Sequence, residues 1–168
     1  VEEIERLEFD SIWVTDHVVI PQGVREAQLI YREHMLEAFT VFSYLAAVSR
    51  HAQIGSSIIV LAYRNPIVMA KMLASIDVLS GGRVVFGAAA GYMEGEFDAL
   101  GLDFTKRGNM LDEGLEVLQE IWTKPNASFE GQFYRFKDMA AFPQPIQKPY
   151  PPIWIGGHTA PVKRRVAR

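Results

Sequence analysis

Four short runs of β-branched and aromatic residues, each apolar on both faces, recur along this chain with longer helical patterns between them. They are Ser11-Ile12-Trp13-Val14-Thr15, residues 54–60, Val84-Val85-Phe86 and Pro152-Ile153-Trp154-Ile155. A strand wet on one side alternates apolar with polar residues, whereas one covered by helices on both sides does not. The pattern predicts an α/β protein built on a parallel sheet. The segments between the runs read as the helices such a sheet needs. Asn65 is a good N-cap and Pro66 suits the first helical position. Met69, Leu73, Ile76 and Leu79 then form one apolar stripe, and Gly81-Gly82 supplies a left-handed stop. A second helix carries Leu111, Leu115, Leu118 and Trp122, with Asp112, Glu113 and Glu116 on its wet side. A third covers residues 36–50 through Phe39, Phe42 and Ala46. Residues 1–7 read as the end of a helix and residues 162–168 as another.

Two connections are longer than usual, residues 16–35 and 90–109. Both leave the carboxyl ends of strands, where parallel α/β folds place ligands. Between residues 123 and 152 the segment 129–134 reads as a small hairpin. Five prolines between Pro143 and Pro152 read as a rigid extended crossover rather than a peptide-recognition motif. A closed eight-stranded α/β barrel needs roughly 200–250 residues. With 168 residues and four strands, the expectation is one domain over 1–168 that forms the middle of a larger barrel, incomplete at both ends. Uncovered parallel edges invite a partner, so a homodimer is expected.

Composition narrows the function classes. Hydrophobic residues at 49% and charged residues at 22% rule out a disordered chain. A net charge of −3 gives no electrostatic reason to bind nucleic acid. Cysteine is absent, which removes disulfides, thiolate catalysis and cysteine-ligated metal. No apolar run approaches the roughly 18–20 residues of a membrane span. Val1-Glu2-Glu3 is acidic where a signal peptide is basic, so a cytoplasmic protein is expected.

Several residues could carry chemistry. Asp16-His17 closes the first strand, and a histidine beside a carboxylate there is placed for proton transfer near neutral pH. Spacing alone equally allows a histidine that packs a loop. Gly87-Ala88-Ala89-Ala90-Gly91 follows the third run; its small residues permit close approach of a flat ligand, and tight packing accounts for them as well. Gly156-Gly157-His158-Thr159 follows the fourth run, where backbone N–H groups suit a phosphate. Arg64 reads as part of the loop before the Asn65 cap, and Arg83 as a strand start or an ion-pair partner. Glu33, His34 and Glu37 cluster without a second ligand pair at metal spacing, so a solvated helix end is expected and no metal. Lys163, Arg164, Arg165 and Arg168 form a basic tip that is either a charged helix face or within reach of a cofactor phosphate.

Taken together, FDSIWVTDH (9–17), RNPIVMAKMLASIDVLSGGRVVFGAAAGYMEGEFDALG (64–101), the RG and DE of 107–113 and PPIWIGGHT (151–159) resemble the luciferase-like monooxygenase family. Within it, the DH followed by a VVIP run is most similar to probable F420-dependent oxidoreductases. The resemblance implies a (β/α)8 TIM-type barrel of which strands two to five are present. It implies a cofactor across the carboxyl-end mouth, against a bulged strand whose non-prolyl cis peptide falls at Ser57-Ile58. Asp16 would contact the deazaflavin and His17 would be the acid/base. Backbone donors near Ser57 and Ile58 would face the ring, Gly91 and Tyr92 would border it, and Gly156, Gly157 and His158 would hold its phosphate. Tyr92 stands where the family's sugar-phosphate dehydrogenases carry a glutamate, which argues against a sugar phosphate and leaves the proton partner of His17 unassigned.

The function expected is an oxidoreductase moving a hydride between F420 and a small organic substrate. One alternative keeps the fold and uses reduced FMN and oxygen, with a separate reductase. Another is a truncated barrel without catalysis.

Overall fold

The computed structural model describes residues 1–21 and 35–167. Helix α1 (Glu2–Arg6) leads into strand β1 (Ser11–Val14), and α2 (Ala38–Val48) follows. The bulged strand comes next as two pieces, β2 (Gln53–Ser56) and β3 (Ile59–Val60), and runs into a 3₁₀ turn at Leu61–Tyr63. After α3 (Pro66–Ser80) come β4 (Val84–Ala89), the short α4 (Glu94–Ala99), a second 3₁₀ turn (Phe104–Lys106) and α5 (Arg107–Thr123). A hairpin of β5 (Ala127–Glu130) and β6 (Arg135–Met139) precedes β7 (Ile153–Ile155) and α6 (Ala160–Val166).

Strands β1, β2, β4 and β7 lie side by side and all parallel, with β3 extending the bulged strand along the far end of β4. This is the expected α/β wall of a barrel. The break between β2 and β3 falls at the cis Ser57-Ile58 peptide, at the predicted position. The register leaves no room for a side chain at Gly87, whose Cβ would lie 1.9 Å from the Ser56 carbonyl oxygen. Instead the Ser56 hydroxyl accepts from Gly87 N–H at 2.8 Å and donates to its carbonyl at 2.7 Å. Gly87 therefore belongs to β4, not to the loop after it, because Ser56 pairs with its backbone.

The core lies between sheet and helices, where Phe39, Phe42, Phe86, Leu73 and Leu118 are fully buried. Each such side chain contributes roughly 1.5–3 kcal/mol by leaving water. Asn65 caps α3 by accepting from Ile67 N–H, and Gly81 ends it at φ 71°, as the sequence predicted. Leu79 departs from the predicted stripe and is 70% exposed. The inward face runs through positions 69, 73, 76 and 80, so residue 79 turns outward. Arg83 makes no ion pair among the described residues; its guanidinium donates to the carbonyls of Ser80, Ala52, Ala46 and Ser49 and to the Ser49 hydroxyl.

On α5, two of the three residues predicted to lie on the wet side, Asp112 and Glu113, are engaged. Glu113 accepts from the N–H groups of Gln132, Phe133 and Tyr134 and so holds the hairpin turn. Asp112 binds Arg165 of α6 through both carboxylate oxygens, at 2.6 and 2.9 Å. Gly114 lets Leu61 in: a Cβ there would sit 2.0 Å from Leu61 Cδ2. The proline-rich crossover is pinned by buried Asp77, which accepts from Gln147 N–H and from its side-chain amide. No helix of the described residues is long and apolar enough to cross a membrane, and among them no three acidic or histidine side chains cluster as a metal site would. Glu33, His34 and Arg168 lie outside the described residues.

Candidate active site

The carboxyl ends of β1, β3, β4 and β7 meet at one cavity of about 1080 Å³. Because successive parallel strands end on the same side, residues far apart in sequence are delivered to one rim. Asp16, His17, Ser57, Ile58, Gly91, Tyr92, Gly156, Gly157 and His158 all line it.

His17 stands at the centre of a hydrogen-bonded group on this rim. Its Nδ1 lies 2.8 Å from Oε2 of Glu96, a residue of α4 that is wholly buried. The same oxygen accepts from the Tyr63 hydroxyl at 2.9 Å, and Oε1 accepts from the N–H groups of Val18 and Val19. Two backbone N–H groups and the Tyr63 hydroxyl donate to Glu96, which favours its ionised form, and an ionised Glu96 pairs with the Nδ1–H tautomer of His17. Burial works to raise the Glu96 pKa, but the hydrogen bonds from His17, Tyr63 and Val18 hold it below the usual value of 4.5. The Glu96 carboxylate in turn raises the His17 pKa above 6.5, against the opposing effect of burial. Tyr63 stays protonated, its pKa raised by burial and then by Glu96. Tyr92 is 63% exposed and meets the His17 ring edge-on, with centroids 6.0 Å apart.

Asp16 is buried and both its oxygens are engaged. Oδ1 and Oδ2 each accept from Arg64 at 2.8 Å, and Oδ2 also accepts from Val60 N–H at 3.1 Å. Arg64 additionally pairs with Glu37 at 2.8 Å and lies over the Phe39 ring. Glu37 stands, as expected, at the exposed head of a helix; it caps α2 by accepting from Thr40 N–H and also meets Arg64.

Two expected backbone donors are used inside the sheet. Ser57 N–H donates to the Val14 carbonyl at 2.7 Å, and Gly156 N–H to that of Ala88 at 2.8 Å. Closure of the parallel ladder claims them before a ligand can. Gly156 instead permits close packing, since a Cβ would lie 2.7 Å from Ile58 Cγ2.

The cavity has two characters. Near the bulge its wall is made of Ile58, Val60 and Ala89; at the α5–α6 side it carries Arg107, Arg164, His158, Asn109 and Thr105. An apolar wall beside donors of positive charge fits a planar ring with a phosphorylated tail, and the volume is ample for a cofactor-sized ligand.

Sequence reading missed Glu96, Tyr63 and Arg64. Residues 90–109 read as loop, yet they hold α4, whose Phe97 and Glu96 are both fully buried. The available signal was Phe97 and Leu100, three positions apart beside an acidic residue, a short helical face.

The sequence description of luciferase-like monooxygenases matches residues 1–168. An FMNH(2)-dependent dimethylsulfone monooxygenase of Pseudomonas putida is 38% identical over 107 residues, 62% of this chain and 30% of that protein. An F420-dependent glucose-6-phosphate dehydrogenase of Amycolatopsis mediterranei is 30% identical over 150 residues, 85% of this chain and 42% of that protein. The crystal structure of a monooxygenase from Streptomyces bottropensis superposes with a TM-score of 0.82 at 23% identity, over 96% of this chain and 46% of that one. The chain thus spans less than half the length of each of these relatives. With its parallel wall, its bulged strand and a match over its whole length, the chain belongs to the luciferase-like monooxygenase family.

Proposed function

We propose that the protein is an oxidoreductase that uses coenzyme F420 on a small organic substrate, with His17 as the acid/base. The observation that carries this reading is the His17–Glu96 pair at the rim of a cavity with one apolar wall and one cationic end. F420, when bound, supplies a carrier for a hydride, two electrons with one proton's worth of hydrogen. The accompanying proton is the protein's task. With Nδ1–H donating to Glu96, the nitrogen of His17 that titrates is Nε2. It takes the proton a substrate hydroxyl gives up on oxidation, and returns it in reduction. Glu96 stabilises the imidazolium formed, and Tyr63 holds Glu96 in place. Ile58, Val60 and Ala89 keep water from the ring face. His158, Arg164 and Arg107, with the turn at Gly157, hold the anionic tail; Gly91 and Tyr92 border the ring and the substrate. A second copy covering the open sheet edges belongs to the same proposal.

The relatives support both deazaflavin and flavin readings, since one is named for F420 and another for FMNH(2). Anaerobic titration with each cofactor, followed by absorbance, separates them. A spectral change with F420, together with loss of hydride transfer but not of binding in His17→Asn, is the expected result. Tight binding of FMN with none of F420 would instead make the protein a flavin monooxygenase served by a reductase. Binding of neither would favour the barrel without catalysis.

A further inference from the structure

The hydrogen bonds around His17 close into a ring, and one short segment supplies both of its supports. The ring nitrogen of His17 is held by Glu96, which Tyr63 anchors. The backbone of His17 is held through its neighbour Asp16, which Val60 N–H and Arg64 anchor. Val60, Tyr63 and Arg64 lie within five residues of one another, immediately after the bulge at Ser57-Ile58. We propose that Arg64 is a positioning residue for His17: its fork locks Asp16 to the post-bulge segment and so fixes where the imidazole stands relative to Glu96 and the cofactor-facing wall. The assignment of His17 as acid/base rests on the function proposed above; the positioning does not.

The geometry favours a lock over a cofactor contact for Asp16. A carboxylate side chain with no exposure, gripped at both oxygens by a guanidinium and at one by an amide, has a single available orientation. Arg64 is itself fixed from three sides: Asp16, Glu37 at the head of α2, and the Phe39 ring. A lysine at position 64 keeps the charge but cannot reproduce two parallel hydrogen bonds, so the two residues are not equivalent here.

The test reads His17 in the unliganded protein by ¹⁵N NMR, as tautomer and as titration midpoint. Among the described residues, the groups that face the ring are Glu96 from α4, Asp16 from the end of β1 and Tyr92 from the β4 loop, with Tyr63 of the 3₁₀ turn behind Glu96. Arg64→Lys is expected to stay folded by circular dichroism, lose part of the Nδ1–H tautomer, and move the His17 midpoint toward 6.5. Arg83→Lys, at the opposite end of the sheet, is the control: it lowers the melting temperature and leaves His17 unmoved. If Arg64→Lys fails to fold, Asp16→Asn is read by the His17 tautomer alone, because loss of the Asp16 charge lowers the midpoint by itself. A folded variant with an unchanged His17, or an Arg83→Lys that moves it equally, overturns the assignment. Neither measurement needs a cofactor, so failure of F420 to bind would refute the functional reading alone.

Discussion

At the scale of the residue, Glu96 decides what His17 can do. A buried carboxylate that accepts from two backbone N–H groups and a tyrosine hydroxyl is held toward its ionised form, and an ionised partner keeps the imidazole protonated to higher pH. Glu96→Gln is therefore expected to lower the His17 midpoint toward its ordinary 6.5 and to move the His17 limb of the pH–rate profile to lower pH. The same change removes charge-assisted bonds to Val18, Val19 and Tyr63, and a loss of about 1–3 kcal/mol in urea unfolding accompanies it. The histidine was legible in the sequence because it follows a strand and sits next to an aspartate. Its partner was not, because 79 residues separate His17 from Glu96 and only the fold joins them. Arg64 was hidden differently. It stands beside a good helix cap, and nothing local shows that its fork reaches back 48 residues to Asp16.

Among the elements, close approach of backbones sets the tolerances. Gly87→Ala would drive a methyl into the Ser56 carbonyl, so β2 and β4 must separate. That variant is expected to lose the slow-exchanging amides of β2 and β4 in hydrogen exchange and to fall by several degrees in melting temperature. The tip of the hairpin is gripped by one side chain of α5. Glu113→Ala strands three N–H groups of the turn, at a cost of about 1–3 kcal/mol, with faster exchange confined to residues 132–134 as its signature. The four strands and the main helices were legible because their periodicity and caps are local. Leu79 misled because a one-residue drift in a helical stripe turns a side chain by about 100°. The roles of Asp112 and Glu113 were invisible because acidic residues on a helix read as solvated until their partners from the hairpin and α6 arrive.

For the whole molecule, the shifted groups bound the pH range of greatest stability. Glu96 and Glu37 have lowered pKa values, so what they contribute is present above 4.5 and lost as pH falls through the lowered values. The raised pKa of His17 acts in the opposite sense: its contribution is complete below 6.5 and lost as pH rises through the raised value. Melting temperature plotted against pH is expected to crest between these limits, and Glu96→Gln to flatten both shoulders. Three consecutive residues of α5 join separate parts of this structure: Asp112 to α6, Glu113 to the hairpin and Gly114 to Leu61. For anyone remodelling the protein, that triplet is a junction box where three circuits meet. Substitutions at position 112 act on the cationic end of the mouth, those at 113 on the hairpin turn, and any at 114 must displace Leu61, two residues before Tyr63.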